Sequence, residues 1–232
     1  MAEAETAQQI MGLLGKCLVV RVLDEPARAE LVTKVHRKNY KAGEQVFQIG
    51  APGHSMMVIL QGTVRVSLPG PTGRKMILAD LGIGDVLGEM TLLDGKGRSA
   101  DATAITNCSL AVLERRDVMP FLERRPEVCL KLLELVCARL RKTDERMAEI
   151  AFFDLPSRLA KVLLEKIEES IRNRSAPRLS LSQSELAAMI NGTRENVNRC
   201  LGDWQRRGII EIHDRWISLM QPEALQALID HS

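Results

Sequence analysis

This chain has few aromatic residues, no long apolar run and almost no excess of one charge. Aromatics make up 3% of its 232 residues, which disfavours a stacking platform for single-stranded nucleic acid. The formal net charge is only +2, so any nucleic-acid binding must depend on a local patch. No run of 18 apolar residues occurs, and the acidic start lacks the pattern of a signal peptide. We therefore expect no membrane-spanning helix.

Cysteine and histidine give no pattern of a metal site. The five cysteines are scattered without C-x-x-C spacing, and the four histidines are dispersed without an H-E-x-x-H pair. These absences predict no disulfide framework and no bound metal, and they fit a reducing cytoplasm. Cys129 and Cys137 lie on a helical pattern, so we expect both to be small buried apolar groups.

The chain is long enough for two domains, and the spacing of its apolar residues changes along its length. Residues 6–35 predict two short helices, the second entered through Asp24 and Pro26. Residues 36–114 carry short β-type runs separated by glycine and proline, which predict a β-sandwich or barrel. These runs cover residues 45–49, 56–60, 63–68, 76–81, 102–105 and 110–113.

Residues 88–100 carry one carboxylate and one guanidinium nine positions apart, Glu89 and Arg98. Arg98 and the adjacent Ser99 can donate to a phosphate, and the glycines of this stretch let backbone N–H groups approach an anion. Glu89 is better suited to accept from a ribose hydroxyl or to brace the loop. The stretch therefore predicts a phosphate-binding loop for a small cyclic nucleotide. The alternative is an exposed β-turn with an incidental Glu–Arg pair.

Residues 117–153 return to helical periodicity, with Pro126 placed for a first helical turn. A seam recurs at spacings of 3, 4, 3, 4 and 3, which is a heptad pattern: Leu133, Val136, Leu140, Thr143, Met147 and Ile150. It predicts a homodimer through this helix, while Leu132 and Leu135 can pack the helix against the β domain. The alternative is a helix buried within its own monomer.

Residues 182–219 predict a winged helix-turn-helix. Ser182 and Glu185 form a capping box, residues 191–192 break the helix, and Thr193 can cap the next one. Residues at positions 197, 200, 201 and 204 form the buried face of the second helix. The outward face carries side chains suited to the major groove, in which Asn pairs with adenine: Arg194, Glu195, Asn198 and Arg199. A solvated polar face is the alternative.

This order of segments resembles the bacterial cyclic-AMP receptor protein/FNR family of transcription regulators. Gly88-Glu89 with Arg98-Ser99-Ala100 is similar to the family's phosphate-binding cassette, residues 141–145 to its adenine-contacting helix, and residues 193–199 to its recognition helix. The resemblance implies an α+β fold: a jelly-roll-like β-roll that binds cyclic nucleotide (1–125), a dimerisation helix (126–153) and a winged helix-turn-helix domain (154–232).

The resemblance also implies the functional residues. The ligand-binding set is Gly88, Glu89, Met90, Arg98, Ser99, Thr143 and Asp144, and the DNA-binding set is Thr193, Arg194, Glu195, Asn198 and Arg199. Implied partners are cyclic AMP, double-stranded DNA with pseudo-palindromic TGTGA-like half-sites, RNA polymerase and a second copy of the chain. The cassette is one residue shorter than in the enteric receptor, and Asp144 replaces a serine there. Cyclic GMP is therefore a second candidate effector.

Two other functions stay open at this point. A regulator of the same fold can work without a ligand or respond to redox or gas, although Cys17 alone cannot supply the cysteine cluster of an iron–sulfur branch. A nucleotide-acting enzyme is the third hypothesis. Since the loop lacks a Walker lysine with Ser/Thr and no nucleophile–base–orienter set accompanies it, we expect no catalytic activity.

Overall fold

The computed structural model describes residues 20–70, 73–172, 178–213 and 216–230, together with Gly12, Cys17 and Ala176. The chain forms two compact units. The first comprises residues 1–69 and 78–140, and the second comprises residues 70–77 and 141–232. The earlier of the two helices predicted within residues 6–35 falls largely outside the described residues.

The helix over Glu25–Thr33, here named α1, lies in the first unit, and the Asp24 side chain accepts from the amide of Ala27 at 3.0 Å, as an N-cap does. Eight strands follow among the described residues, and one of them, β5, begins in the part of the chain assigned to the second unit: β1 (His36–Tyr40), β2 (Gln45–Phe47), β3 (Ser55–Gln61), β4 (Val64–Pro69), β5 (Lys75–Leu81), β6 (Val86–Leu87), β7 (Asp101–Ala104) and β8 (Cys108–Glu114). All six predicted runs are strands. Sequence patterning missed β1, whose first four residues are exposed and polar, and β6, which has two residues.

The strands form two four-stranded sheets, with orders β1-β8-β3-β6 and β2-β7-β4-β5. One apolar cluster draws on both sheets, including Ile59 and Val112 of the first and Val64 and Ala102 of the second. Since Met56, Val58 and Leu60 belong to a different cluster, which also includes residues of α1, both faces of β3 are buried. This explains its uninterrupted apolar sequence. The predicted β-roll is confirmed.

Three more helices lie wholly or partly in the first unit: α2 (Glu89–Asp94), α3 (Arg115–Glu123) and α4 (Pro126–Phe152). The first two belong to the first unit, and α4 belongs to it up to residue 140. The interpretation of residues 88–100 as a loop is therefore wrong in part, because they contain a short helix. Leu132 is buried in the core and Leu135 packs against it, as predicted. Cys137 is exposed, contrary to expectation, because it lies outside the core-facing stripe of α4.

The second unit contains helices α5 (Leu155–Arg172), α6 (Gln183–Met189), α7 (Arg194–Arg206) and α8 (Pro222–Asp230), with the hairpin β9 (Ile210–His213) and β10 (Trp216–Leu219). Its core includes Leu159, Leu163, Leu186, Leu201 and Trp204. The helix-turn-helix and hairpin are present where the sequence predicts them. Within the described chain, no helix has the length and apolarity needed to cross a bilayer.

Candidate functional site

Gly88 shapes the entrance to α2 and makes room for Arg98. Its φ of +79° lies in the left-handed region, and Gly95 at the other end of this helix has a φ of +72°. A Cβ atom at Gly88 would overlap Nη1 of Arg98, whereas one at Gly95 would meet no atom within 4 Å. Gly88 is thus required for both its backbone conformation and its lack of a side chain.

Arg98 is a buried arginine, with 6% of its surface exposed. Its Nη1 donates to the carbonyls of Ser55 at 2.8 Å and Gly88 at 3.3 Å, and its Nη2 donates to Ser55 Oγ at 3.2 Å. The Phe47 ring stacks 4.4 Å from the guanidinium carbon. Burial lowers the pKa of Arg98 from its ordinary value, while the charges of Glu89 and Glu114 oppose that shift.

The hydrogen bonds of Arg98 leave one side of its guanidinium available. Among the described residues, its Nε–H has no acceptor, and one of the two Nη2 hydrogens is also unused. Nε and Nη2 lie along one edge of the group, and this edge can bind a phosphate through two parallel hydrogen bonds. Ser55 and Gly88 therefore hold Arg98 in an orientation compatible with anion binding.

Glu89 is a fully buried carboxylate, with 1% of its surface exposed. Its Oε1 accepts a hydrogen bond from Arg139 of α4, which also donates to the carbonyl of Val86. Its Oε2 has no hydrogen-bond partner in the described chain. An unpaired buried carboxylate oxygen is costly, and a hydroxyl donor from a ligand would satisfy it.

A cavity of about 50 Å³ connects these groups. Its lining combines both sheets, α2 and one residue of α4: Phe47, Val66, Leu81, Leu87, Gly88, Glu89, Met90, Thr91, Arg98, Ser99, Ala100 and Arg139. Small-molecule pockets typically measure about 300–1,000 Å³. A ligand of nucleotide size therefore needs side chains to move, and the half-exposed Arg139 is the lining residue contributed by α4.

The cavity brings together five of the predicted ligand residues: Gly88, Glu89, Met90, Arg98 and Ser99. Ser99 is exposed, and its hydroxyl lies 3.6 Å from the sulfur of Met90. Thr143 and Asp144 are exposed on the part of α4 that belongs to the second unit, and their role in binding stays a prediction.

Sequence reasoning missed three residues that contact Arg98 or Glu89: Phe47, Ser55 and Arg139. Phe47 and Ser55 come from the second and third strands, where neither residue stands out. Arg139 precedes Thr143 by four positions, so the helical repeat could have drawn attention to it. The heptad pattern accounts for Arg139 only as a charge beside the seam.

The helix-turn-helix is built as its sequence predicts. Ser182 and Glu185 make both hydrogen bonds of the capping box on α6. Asn191 has a φ of +51° in the turn, and the Thr193 side chain caps α7 by accepting from the amide of Asn196 at 3.2 Å. Three residues of α7 are buried: Val197, Leu201 and Trp204. Four are exposed together: Arg194, Glu195, Asn198 and Arg199.

The exposed side chains of α7 have defined partners. Hydrogen bonds from its own backbone amide and from the Thr193 hydroxyl lower the pKa of Glu195 from its ordinary value. Arg199 donates to Asn196 Oδ1 at 2.9 Å. Gln183 of α6, which sequence reasoning did not select, donates to Asn198 Oδ1 at 3.1 Å.

Two family models match the chain. A cyclic nucleotide-binding domain matches residues 37–125, and a Crp-like helix-turn-helix domain matches residues 157–228. The first contains the cavity, apart from Arg139, and the second contains the exposed face of α7.

Known proteins match most of the chain. The CRP-like cAMP-activated global transcriptional regulator of Mycobacterium tuberculosis is 29% identical over 216 residues, which are 92% of this chain and 96% of that protein. The cyclic AMP receptor protein of Thermus thermophilus is 29% identical over 192 residues, covering 83% and 87% respectively. The solved structure of the c-di-GMP-responsive global regulator CLP of Xanthomonas campestris shares the fold, with a TM-score of 0.76 and 22% identity over 84% of this chain and 99% of that one.

Proposed function

The chain belongs to the CRP/FNR family of transcription regulators, and from this premise we propose that it is a cytoplasmic homodimer whose binding to DNA is controlled by a cyclic nucleotide. Cyclic AMP is the first candidate effector, because the two relatives described above are named for it. The proposal includes no catalytic activity.

One observation carries the effector site: the buried Glu89 has an unpaired Oε2 in the cavity that Arg98 also lines. A cyclic nucleotide combines a ribose hydroxyl, which can donate to Glu89, with an anionic phosphate for the free edge of Arg98 and the hydroxyl of Ser99. A phosphate alone would not satisfy Glu89, and a neutral sugar would leave the guanidinium edge without an anion. Gly88 and Met90 complete the contact surface.

The base is the less constrained end of the ligand. In this proposal Thr143 contacts an adenine amino group and Asp144 lies next to it. A carboxylate at position 144 can accept from that amino group or from guanine N1–H and its N2 amino group. Cyclic GMP is therefore retained as the second candidate, and direct comparison of the two nucleotides decides between them.

The DNA-reading surface is the exposed face at the start of α7. We assign base and backbone contacts to Thr193, Arg194, Glu195, Asn198 and Arg199, whose polar atoms can reach a major groove. A homodimer would read a pseudo-palindrome with TGTGA-like half-sites about one helical turn apart. RNA polymerase is the expected protein partner of the bound dimer.

Isothermal titration calorimetry tests the effector site. Wild-type protein and Arg98→Ala are titrated with cyclic AMP and with cyclic GMP, and Arg116→Ala serves as a matched control because Arg116 is exposed. We expect Arg98→Ala to lose at least about tenfold in affinity, since hydrogen bonds to charged groups contribute about 1.5–3 kcal/mol. Arg116→Ala should bind like wild type.

Two results would count against the proposal. Equal affinities of wild type and Arg98→Ala would exclude Arg98 from the site, and absence of heat with both nucleotides at two temperatures would exclude both as effectors, because a binding enthalpy near zero at one temperature is not zero at another. Circular dichroism spectra of the three proteins establish that the substituted chains are folded.

A regulator that needs no ligand is a second candidate, favoured by the ion pair between Glu89 and Arg139. That pair already satisfies one oxygen of Glu89 with a residue of the chain itself. Undiminished operator binding by nucleotide-free protein, measured by fluorescence anisotropy, would support this candidate over effector control.

A further inference from the structure

Gln183 links the first helix of the helix-turn-helix to the exposed face of the second. It is the first residue of α6, where the capping box fixes the first turn: Ser182 Oγ accepts from the Glu185 amide at 3.1 Å, and Glu185 Oε2 accepts from the Ser182 amide at 3.0 Å. From this position Gln183 Nε2 donates to Asn198 Oδ1 at 3.1 Å. Gln183 is half-buried, whereas Asn198 is exposed.

The hydrogen bond changes what Asn198 can offer to a base. An asparagine amide has one acceptor oxygen and two N–H donors, and its pairing with adenine uses the oxygen and the nitrogen together. Because Gln183 draws Oδ1 towards α6, the two Nδ2 hydrogens become the groups that Asn198 presents outward. Guanine has two acceptors in the major groove, O6 and N7, and no donor beside them.

We propose that Gln183 is a positioning residue for base reading: it orients the amide of Asn198 so that Asn198 selects guanine instead of adenine. This inference goes beyond the nucleotide effector and rests on the DNA-reading role of α7. Gln183 acts through Asn198 and needs no base contact of its own.

The contacts of the neighbouring side chains indicate that a change at Gln183 should affect only the base read by Asn198. Arg199 is held by Asn196 of its own helix, and Glu195 is held by its backbone amide and by Thr193. None of these contacts includes Gln183. Removing the hydrogen bond from Gln183 should therefore alter the base preference of Asn198 and leave the preferences set by Glu195 and Arg199 intact.

Selection from a library of randomised DNA duplexes tests the proposal. The full-length protein is used with and without cyclic AMP, as wild type, Asn198→Ala, Gln183→Met and Gln183→Glu. Asn198→Ala identifies the operator position that Asn198 reads. At that position we expect wild type to select guanine, and Gln183→Met, which has a similar length and no donor, to lower the preference for guanine over adenine by about fivefold or more.

Gln183→Glu provides the opposite change. A carboxylate can only accept, so it should turn Nδ2 of Asn198 towards α6 and expose Oδ1, which favours the N4 donor of cytosine. Gln205→Met is the matched control, because Gln205 is exposed at the other end of α7. Its base preferences should equal those of wild type at every position.

Several outcomes would overturn the inference. These are adenine selected by wild type at the Asn198 position, an unchanged preference in Gln183→Met, and simultaneous changes at several positions, which would indicate a general structural role. An Asn198→Ala protein with wild-type preferences everywhere would also overturn it. A wild-type chain that enriches no sequence would contradict DNA reading by α7 and this inference with it, whatever calorimetry shows for the effector.

Discussion

At the scale of single residues, the cavity depends on how a buried guanidinium is held. Burying a charged group is unfavourable unless hydrogen bonds compensate, and Arg98 obtains them from Ser55 and Gly88. A Cβ atom at Gly53 would lie 2.5 Å from Nε of Arg98, so this second glycine is needed beside the same group. The orientation of Arg98 is therefore set by the backbone around it, and lysine could not reproduce the same set of bonds.

The two glycines that flank α2 give a prediction with its own control. Gly88→Ala and Gly95→Ala both place alanine at a positive φ, which costs about 1–2 kcal/mol of folding stability. Only the Cβ atom at position 88 also overlaps Arg98. We expect Gly88→Ala to be the more destabilised protein in urea unfolding, and to lose at least tenfold in calorimetric affinity for the effector, about 1.4 kcal/mol.

Gly95→Ala should show the smaller loss of stability and bind the effector like wild type. Equal stability losses in the two variants would mean that Arg98 adapts to the new methyl group at no cost. Such a result would contradict the steric role assigned to Gly88.

The residues of the cavity also show which site features a sequence reveals. Glu89 and Arg98 lie in one short stretch at a fixed separation, so their pairing could be predicted from order alone. Ser55 and Arg139 lie 43 and 41 positions from Arg98, and their roles arise from strand pairing and helix packing. A local pattern cannot contain such information, because the contacts form only after the sheets and α4 are assembled.

At the scale of elements, α4 has one apolar face that is buried and another that is exposed. Val128 and Leu132 are buried against the β domain. The predicted seam remains exposed in the single chain, with Leu133 at 55%, Leu140 at 59% and Met147 at 65%. Burial of such side chains stabilises an assembly by about 25 cal/mol per Å² of apolar area. A second copy of α4 has the matching heptad spacing to cover them.

A charge on the seam should therefore separate the proposed homodimer. Leu140→Asp places a carboxylate on the seam, and we expect its dimer dissociation constant, measured by sedimentation equilibrium, to rise at least tenfold because an unpaired charge is unfavourable in an apolar interface. Leu130→Asp is the control, since Leu130 is 61% exposed but lies outside the heptad positions. A monomeric wild type, or equal effects of both substitutions, would contradict dimerisation through this seam.

The ends of helices were predictable where the sequence carries a proline, a capping box or a turn residue at the boundary. Pro126, the capping box at Ser182 and the turn at Asn191 all lie where the sequence placed them. The α2 helix was not predicted because it has only six residues and a glycine at each end, which indicate a turn as readily as a helix. Strand β1 was missed because it pairs with β8 through its backbone while exposing four polar side chains.

At the scale of the whole molecule, the proposed effector would act on DNA binding by changing the populations of two conformations. A ligand shifts such an equilibrium only by the difference between its affinities for the two states. Couplings of this kind are typically about 1–3 kcal/mol, which corresponds to about 5- to 150-fold tighter binding.

Reciprocity gives the final prediction. If cyclic nucleotide strengthens operator binding by a given factor, the operator must strengthen nucleotide binding by the same factor. We expect fluorescence anisotropy of the operator with and without nucleotide, and calorimetry of the nucleotide with and without operator, to agree within error for wild type. In Arg98→Ala both factors should fall towards one, because the nucleotide no longer distinguishes the two states. A nucleotide that binds tightly yet leaves operator affinity unchanged would show that the cavity holds a ligand without controlling DNA binding.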